Sequence, residues 1–169
     1  RNGRVIMGSY SYGKDEVCAW IRQYFPRDAT ILDVGACDAN WRRRLPEYPN
    51  MDAVEAFSPN LQYLSDYRTV YHADIRDFQF SSYDLIIFGD VLEHMTVAEA
   101  QKVLKYAREH SDDYIIGVPF EYKQGAIYGN PWEQHIQDDL TPENFEERYP
   151  GHQLLIRPVR DYAYYHRLT

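Results

Sequence analysis

The feature that most constrains the fold of this 169-residue chain is a regular alternation of short apolar runs with helical patterns. Short apolar runs are typical of strands buried on both faces, and helices between such strands are typical of βα units. The runs lie at 30–34, 51–57, 70–73, 83–88 and 114–118. A succession of βα units predicts an α/β fold with a mostly parallel sheet and helices on both faces.

The helices are predicted from the spacing of apolar residues and from signals at their ends. They lie over 14–25, around 41–45, from 58 through 64, over 97–110 and over 141–149. Pro26 stops the first, while Ser58 with Pro59 and Thr141 with Pro142 are cap-and-proline starts.

The segments that follow the last of these strands suggest how the domain is completed. Residues 121–140 carry glycines and Trp132 without a regular pattern, and so long an irregular stretch is usually a functional loop or lid. Apolar runs at 153–156 and 162–165 predict a closing antiparallel hairpin. Because the length suits one compact domain, residues 1–169 are predicted to form a single domain.

Charge and composition narrow the partners that we expect. The formal net charge is −8 and the sequence pI is near 5.2, which disfavours nucleic acid as a partner. The local cluster Arg42-Arg43-Arg44 is either a solvated helical turn or a contact for an anionic substrate. Two cysteines without a CxxC pair, no leading signal segment and no long apolar tract predict a cytoplasmic protein with no membrane partner.

The segment that carries most chemical information is 31–40, ILDVGACDAN, where an apolar strand runs into a turn of small residues and then a helix. Small side chains allow backbone N–H groups and a helix N-terminus to approach a ligand carboxylate or phosphate. The next strand, 51–55, ends on Glu55, a position from which a carboxylate accepts hydrogen bonds from a ribose diol. Together these features indicate a cofactor that contains a nucleoside.

Several segments in order resemble the class I S-adenosylmethionine-dependent methyltransferases. Residues 33–39 (DVGACDA) look like the D-x-G-x-G-x-G loop of that family, and 54–59 (VEAFSP) look like its ribose-binding strand end. Residues 83–94 (YDLIIFGDVLEH) are similar to its F-D-L-V-x-x-x-x-V-L-E-H stretch. Residues 73–75 (ADI) lie where the family commonly places an acidic side chain near adenine.

The resemblance covers the chain from about Ile31 to Val118 and implies both a fold and an activity. The implied fold is a Rossmann-like seven-stranded, mostly parallel sheet in the order 3-2-1-4-5-7-6, whose antiparallel last strand agrees with the predicted hairpin. The implied cofactor is S-adenosyl-L-methionine, and the implied reaction is methyl transfer.

The resemblance also assigns roles to individual residues. The pair 35–36 would face the methionine end of the cofactor, Glu55 the ribose, the pair 74–75 the adenine, and Asp90 the amino group. The residues implied to bind the cofactor are Asp33, Gly35, Ala36, Cys37, Glu55, Ala56, Asp74, Ile75 and Asp90.

The loop departs from the family at two positions, where Cys37 and Ala39 replace glycines. Both are small, so close approach survives if neither position needs a positive φ. The departures keep open an alternative, a non-catalytic methyltransferase-like module that binds a cofactor or a partner. A dehydrogenase with the G-x-G-x-x-G motif would need glycines where Cys37 and Asn40 stand, so the sequence disfavours that function. A nucleotide-dependent enzyme with the same sheet topology stays an alternative only because fold does not fix function.

The candidate catalytic bases are His135, in the irregular segment, and His94, which is expected on the helix after the fourth strand. The predicted acceptor is an oxygen or nitrogen of a small molecule or of a residue presented by a protein. No metal site is expected, because Glu93 and His94 are adjacent and no histidine pair has ligand spacing. Tyr10 and Tyr12 could fold over the cofactor.

Overall fold

The computed structural model describes residues 11–168, which form a seven-stranded sheet in the order β3-β2-β1-β4-β5-β7-β6. Its strands are β1 (Ile31–Val34), β2 (Met51–Glu55), β3 (Thr69–His72), β4 (Tyr83–Gly89), β5 (Ser111–Pro119), β6 (His152–Val159) and β7 (Tyr162–Arg167). The strands β1 to β5 pair in parallel, and β7 pairs antiparallel with both β5 and β6. The predicted fold, strand order and closing hairpin are confirmed.

The helices are α1 (Lys14–Tyr24), α2 (Asn40–Arg44), α3 (Val97–Glu109) and α4 (Pro142–Arg148), with 3₁₀ helices at Ser58–Tyr63, Leu92–His94 and Pro131–Glu133. The side chain of Thr141 accepts the Asn144 N–H, so the cap predicted for α4 forms. No helix within 11–168 is long and apolar enough to cross a membrane.

Two expectations about local structure were wrong. The segment from Ser58 is a 3₁₀ helix, in which the N–H of Asn60 donates to Phe57 O three residues earlier. The strand before it, β2, ends at Glu55, where the strand-end carboxylate was expected, although the apolar run continues to 57. His94 lies at the end of a short 3₁₀ turn before α3 and not on the long helix. A capping box at Thr96 starts α3 only after His94, which is why His94 stays in the connection.

The strand β1 is an interior strand of the sheet. All four of its residues are buried, because β2 and β4 flank it and helices cover both faces. One face packs against α3 through Ala100 and Val103, and the other packs against α1 through Val17 and Ile21. Complete burial of one such aliphatic side chain contributes about 1.5–3 kcal/mol to the stability of the fold. The helix layers on the two faces therefore stabilise the sheet whose strand ends form the site.

The strand register brings three loops to one edge of the sheet. Val34 lies opposite Val54 of β2 and Phe88 of β4, so the segments after β1, β2 and β4 leave the sheet at about the same level. The strand order runs in opposite directions on the two sides of the β1–β4 pair. In open α/β sheets the crevice at such a switch point binds the ligand.

Candidate active site

The loop after β1 turns sharply beside the end of β2. Gly35, Cys37 and Ala39 all have positive φ, at 67°, 49° and 63°. Cys37 and Ala39 therefore occupy the left-handed region, which favours glycine. They are not neutral replacements for the glycines of the family loop. Each such residue costs roughly 1–2 kcal/mol relative to the right-handed conformation.

Glu55 at the end of β2 holds this loop in place. Its carboxylate accepts the Cys37 N–H at 2.8 Å and the Phe57 N–H at 2.8 Å, one on each oxygen. A carboxylate oxygen has two lone pairs, so each can accept a further donor. Glu55 is buried yet faces a cavity, which leaves that capacity available to a bound molecule.

A cavity with an empty volume of about 660 Å³ opens beside this carboxylate and is called the Glu55 cavity here. Of the predicted cofactor residues, those in its wall are Gly35, Cys37, Glu55, Ala56, Asp74, Ile75 and Asp90. Asn60, which sequence reasoning did not single out, is buried in the same wall and its Oδ1 accepts no hydrogen bond within the described chain.

Asp74 lies in the wall of the Glu55 cavity, but its carboxylate is already engaged. It pairs with the Arg76 guanidinium at 2.6 Å and accepts the Trp132 Nε1–H at 3.2 Å. Burial opposes its ionisation, but the hydrogen bonds from Arg76 and Trp132 outweigh that effect and hold the pKa of Asp74 below its usual value. An adenine amino group would therefore share this carboxylate with Arg76 and Trp132.

Asp33, another of the predicted cofactor residues, is buried and does not line the Glu55 cavity. It accepts a hydrogen bond from the Tyr67 hydroxyl, and burial raises the pKa of Asp33 to about 7. Lys14 is fully buried near it, with Nζ 4.2 Å from the centroid of the Trp41 ring, and burial lowers the pKa of Lys14. The structure thus gives Asp33 a supporting position under the predicted cofactor loop.

Asp90 follows β4 and lies between two cavities. Its φ is 57°, and its Oδ1 accepts the Tyr162 hydroxyl at 2.7 Å. The second cavity has an empty volume of about 640 Å³ and is called the histidine cavity here. Both cavities share five residues in their walls: Gly35, Cys37, Asp90, His94 and Glu133. Ala36 lines the histidine cavity alone.

The two candidate catalytic histidines meet in the histidine cavity. Their ring centroids are 4.8 Å apart in a T-shaped arrangement. His94 Nδ1 is 3.1 Å from Gln134 O, and His135 Nδ1 is 2.7 Å from Tyr122 O. A carbonyl only accepts, so each Nδ1 carries the proton and each Nε2 is left with a lone pair. Burial lowers the pKa of both histidines, which favours this neutral form.

Glu93 is a site residue that sequence reasoning placed in a motif without assigning it a role. Its side chain is only 1% exposed, it lines the histidine cavity, and neither carboxylate oxygen accepts a hydrogen bond from the described residues. Its Oε1 lies 3.8 Å from His94 Nε2. Burial raises the pKa of Glu93 well above its usual value. With His135, these residues form a cluster that spacing along the chain did not suggest.

The irregular segment 121–140, called the lid segment here, is tied to the turn that carries Glu93. The N–H groups of Ile136 and Gln137 both donate to Glu93 O, at 2.8 and 3.0 Å. The side-chain amide of Gln137 also donates, through Nε2, to Leu92 O and Met95 O. These bonds explain why His135, remote in the chain, lies next to His94.

The middle of the lid segment lines the Glu55 cavity through Asn130, Trp132 and Glu133. The centroid of the Trp132 ring lies 6.3 Å from that of the Phe57 ring. The Trp132 Nε1–H donates a hydrogen bond to the Asp74 carboxylate. Trp132 is itself exposed, so it forms part of the outer wall of the cavity. One segment therefore contributes to the walls of both cavities.

The remaining predicted contacts lie elsewhere. Arg43 pairs with Asp38 at 2.9 Å and Arg44 pairs with Asp15, so these two arginines hold α2 to its surroundings. Tyr12 is exposed and lines a neighbouring surface cavity instead of the Glu55 cavity. Tyr10 lies outside the described residues.

Comparison with known proteins finds similarity in structure but not in sequence. No protein-family model matches the chain, and no curated protein matches it significantly. An S-adenosylmethionine-dependent methyltransferase from Clostridium acetobutylicum superposes with a TM-score of 0.70 at 14% identity, over 97% of this chain and 94% of that one.

Two further solved structures are also similar. The magnesium protoporphyrin IX methyltransferase of Synechocystis, with bound S-adenosylhomocysteine, has a TM-score of 0.67 at 13% identity, over 92% of this chain and 82% of that one. A sugar N-methyltransferase from Streptoalloteichus has a TM-score of 0.63 at 13% identity, over 94% and 88%. The chain therefore has the fold of the class I S-adenosylmethionine-dependent methyltransferases.

Proposed function

We propose that this protein binds S-adenosylmethionine along the two cavities and transfers its methyl group to an acceptor in the histidine cavity. The observation that carries the proposal is the continuity of the Glu55 and histidine cavities, which share five wall residues at the switch point of the sheet. Proteins of the same fold are S-adenosylmethionine-dependent methyltransferases, and several of their structures contain S-adenosylhomocysteine.

The adenosine half of the cofactor fits the Glu55 cavity. Glu55 would accept the ribose hydroxyls on lone pairs that the backbone N–H groups leave open. Asn60 and Ile75, with Asp74, would surround the adenine, and Ala56 would lie beside the ribose. The methionine half would then pass Gly35 and Ala36 toward Asp90, which faces both cavities.

The charge of the wall shared by the Glu55 cavity and the histidine cavity suits this cofactor. A sulfonium and an ammonium are both cationic, and the wall shared by the two cavities carries the carboxyl group of Asp90, with Glu55 in the wall of the Glu55 cavity. Opposite charges within a few ångströms attract strongly where water is largely excluded. The same acidic wall disfavours an anionic dinucleotide, which is the main rival for a cavity at this edge.

A small molecule with an oxygen or nitrogen acceptor is the proposed substrate. The structural neighbours include enzymes named for a porphyrin, a glycopeptide and a sugar. The lid segment covers the acceptor side, and His135 with His94 presents Nε2 there, where a group that activates the acceptor is needed. Positioning and activation are the two contributions that methyl transfer requires from the protein.

The test is release of S-adenosylhomocysteine over a panel of small hydroxylated and aminated acceptors. With a productive acceptor, His135→Ala should lose about 10²–10⁴ in turnover, the usual contribution of an activating group, while its affinity for S-adenosylhomocysteine stays close to that of the parent. The matched control is His72→Ala, because His72 is an exposed histidine on β3 outside both cavity walls.

A second candidate function is a methyltransferase-like module without catalysis. The observation that favours it is the pair of non-glycine residues at positive φ in the loop, Cys37 and Ala39. Firm binding of S-adenosylhomocysteine with no product from any acceptor would favour this module. Unchanged turnover in His135→Ala would remove the role given to that histidine.

A further inference from the structure

Three side chains in the histidine cavity form a group that the proposed cofactor does not explain. One carboxylate oxygen of Glu93, one ring nitrogen of His94 and one ring nitrogen of His135 lie within 4.8 Å of one another. The two histidines come from different segments, one from the turn after β4 and one from the lid segment. Their convergence depends on the hydrogen bonds that tie the lid segment to Glu93 O.

The rings of His94 and His135 have the orientation that is typical of metal-binding histidines. Each Nδ1–H is held by a backbone carbonyl, Gln134 O for His94 and Tyr122 O for His135. Histidines that bind metals commonly donate the other ring N–H to such an acceptor, which fixes the tautomer and the ring orientation. The lone pair of His135 Nε2 is thereby available to a cation, and His94 Nε2 lies 3.8 Å from Glu93 Oε1.

Glu93 supplies the independent observation. Its carboxylate is 1% exposed, and neither oxygen accepts a hydrogen bond from any residue in 11–168. A buried polar group without a partner is costly, and in native structures it commonly marks a bound ion or water. The carboxyl groups of Asp90 and Glu133 line the same cavity and would place further oxygen atoms near a cation there. Both facts favour a cation beside Glu93.

We propose that Glu93, His94 and His135 bind a divalent transition-metal ion in the histidine cavity. Two imidazoles and one carboxylate are a ligand set suited to zinc, iron, cobalt or manganese, whereas magnesium prefers oxygen ligands throughout. Bonds of about 2.1 Å would draw the donor atoms closer together than they lie now. Three protein ligands leave coordination positions open to water and to an acceptor.

The role of the metal rests on the proposed function, although metal binding itself does not. A hydroxyl of the acceptor coordinates the ion, its acidity rises and its proton passes to water. The oxygen lone pair then forms a bond to the methyl carbon while the carbon–sulfur bond breaks and its electron pair stays on sulfur. The products are the methylated acceptor, S-adenosylhomocysteine and one proton, and the metal keeps its oxidation state.

The experiment titrates Co²⁺ into protein freed of metal by a chelator, without cofactor, and follows the visible absorption of the bound ion. The parent should bind one Co²⁺ saturably, and Zn²⁺ should displace it. Glu93→Gln, His94→Gln and His135→Gln should each weaken Co²⁺ binding by more than about tenfold, the scale of losses at such sites. His72→Gln, at an exposed histidine outside the cavity, should bind as the parent does.

Absence of saturable Co²⁺ binding in the parent, or equal binding in all four variants, would overturn the proposal. If Glu93→Gln fails to fold, as judged by its melting curve, the two histidine variants decide the question. Binding of S-adenosylhomocysteine is measured separately on the chelated protein. Co²⁺ binding without S-adenosylhomocysteine binding would reject the proposed function and keep the metal site, and the reverse result would reject the metal site alone.

Discussion

At the scale of single residues, Glu55 serves both the loop and the proposed ligand. It accepts two backbone N–H groups, from Cys37 and Phe57, while it lines the cavity. The hydrogen bond from Cys37 helps to hold a non-glycine residue at positive φ. A change at Glu55 should therefore affect stability and binding together, and the two effects must be measured separately.

Replacement of Glu55 by alanine should weaken binding of S-adenosylmethionine about tenfold or more, because a hydrogen bond to a charged group is worth about 1.5–3 kcal/mol. Glu55→Gln, which keeps one acceptor oxygen, should give an intermediate affinity. Calorimetric titration measures the affinities, and thermal melts establish that both variants are folded. A folded Glu55→Ala protein that binds the cofactor as tightly as the parent would contradict the ribose assignment.

Asp33 should make the stability of the fold depend on pH. Burial raises the pKa of Asp33 from its usual 3.8 to about 7 in the folded chain. Between these values the unfolded chain releases the proton of Asp33 while the folded chain keeps it, so stability falls as pH rises from about 4 to 7. At about 1.4 kcal/mol for each unit of pKa difference, the loss is on the order of 4 kcal/mol.

The substitution Asp33→Asn removes this titration and retains an oxygen that accepts the Tyr67 hydroxyl. The free energy of unfolding, measured by urea titration at several pH values, should fall less steeply for the variant than for the parent over that window. Parallel curves for the two proteins would show that Asp33 ionises in the folded chain as readily as in the unfolded one.

At the scale of structural elements, the strands and their ends were predictable, whereas the path of the lid segment was not. The strand β1 and the end of β2 follow from local apolar runs that stop at Gly35 and Glu55. The contact of His135 with His94 depends on hydrogen bonds from Ile136 and Gln137 to Glu93 O, which join segments far apart in the chain. No local pattern reports such bonds.

The burial of ionisable side chains could not be predicted from the sequence either. Lys14 begins an amphipathic helix, where a lysine is normally solvated, yet the structure buries it over Trp41. Glu93 belongs to a stretch that matches a family motif, but its isolation from hydrogen-bond donors emerges only when the lid segment folds over it. The resemblance therefore predicted the cofactor half of the site better than the histidine half.

The lid segment should respond to the cofactor. In hydrogen exchange we expect 122–140 to exchange faster than the sheet in the free protein, because it consists mainly of loops, with Ile136 and Gln137 slower than their neighbours. Saturation with S-adenosylhomocysteine should partly protect the segment, since Trp132 and Glu133 line the Glu55 cavity. Strong, equal protection in both states would refute its role as a lid.

At the scale of the whole molecule, the sheet and the charge act together. The strand order opens a crevice beside β1 and β4, and the net charge of −8 gives the chain an acidic character that suits a cationic cofactor and disfavours phosphate backbones. Fold alone does not fix function, and a nucleotide-binding enzyme could use the same crevice. The identity of the bound cofactor therefore decides between these two functions.

The most direct test is calorimetric titration of the parent protein with S-adenosylmethionine, S-adenosylhomocysteine and NAD, under identical conditions. We predict one site with micromolar affinity for the first two ligands, about −8 kcal/mol in binding free energy, and no measurable heat with NAD. Tight binding of NAD, or no binding of S-adenosylmethionine and S-adenosylhomocysteine by folded protein, would contradict the account.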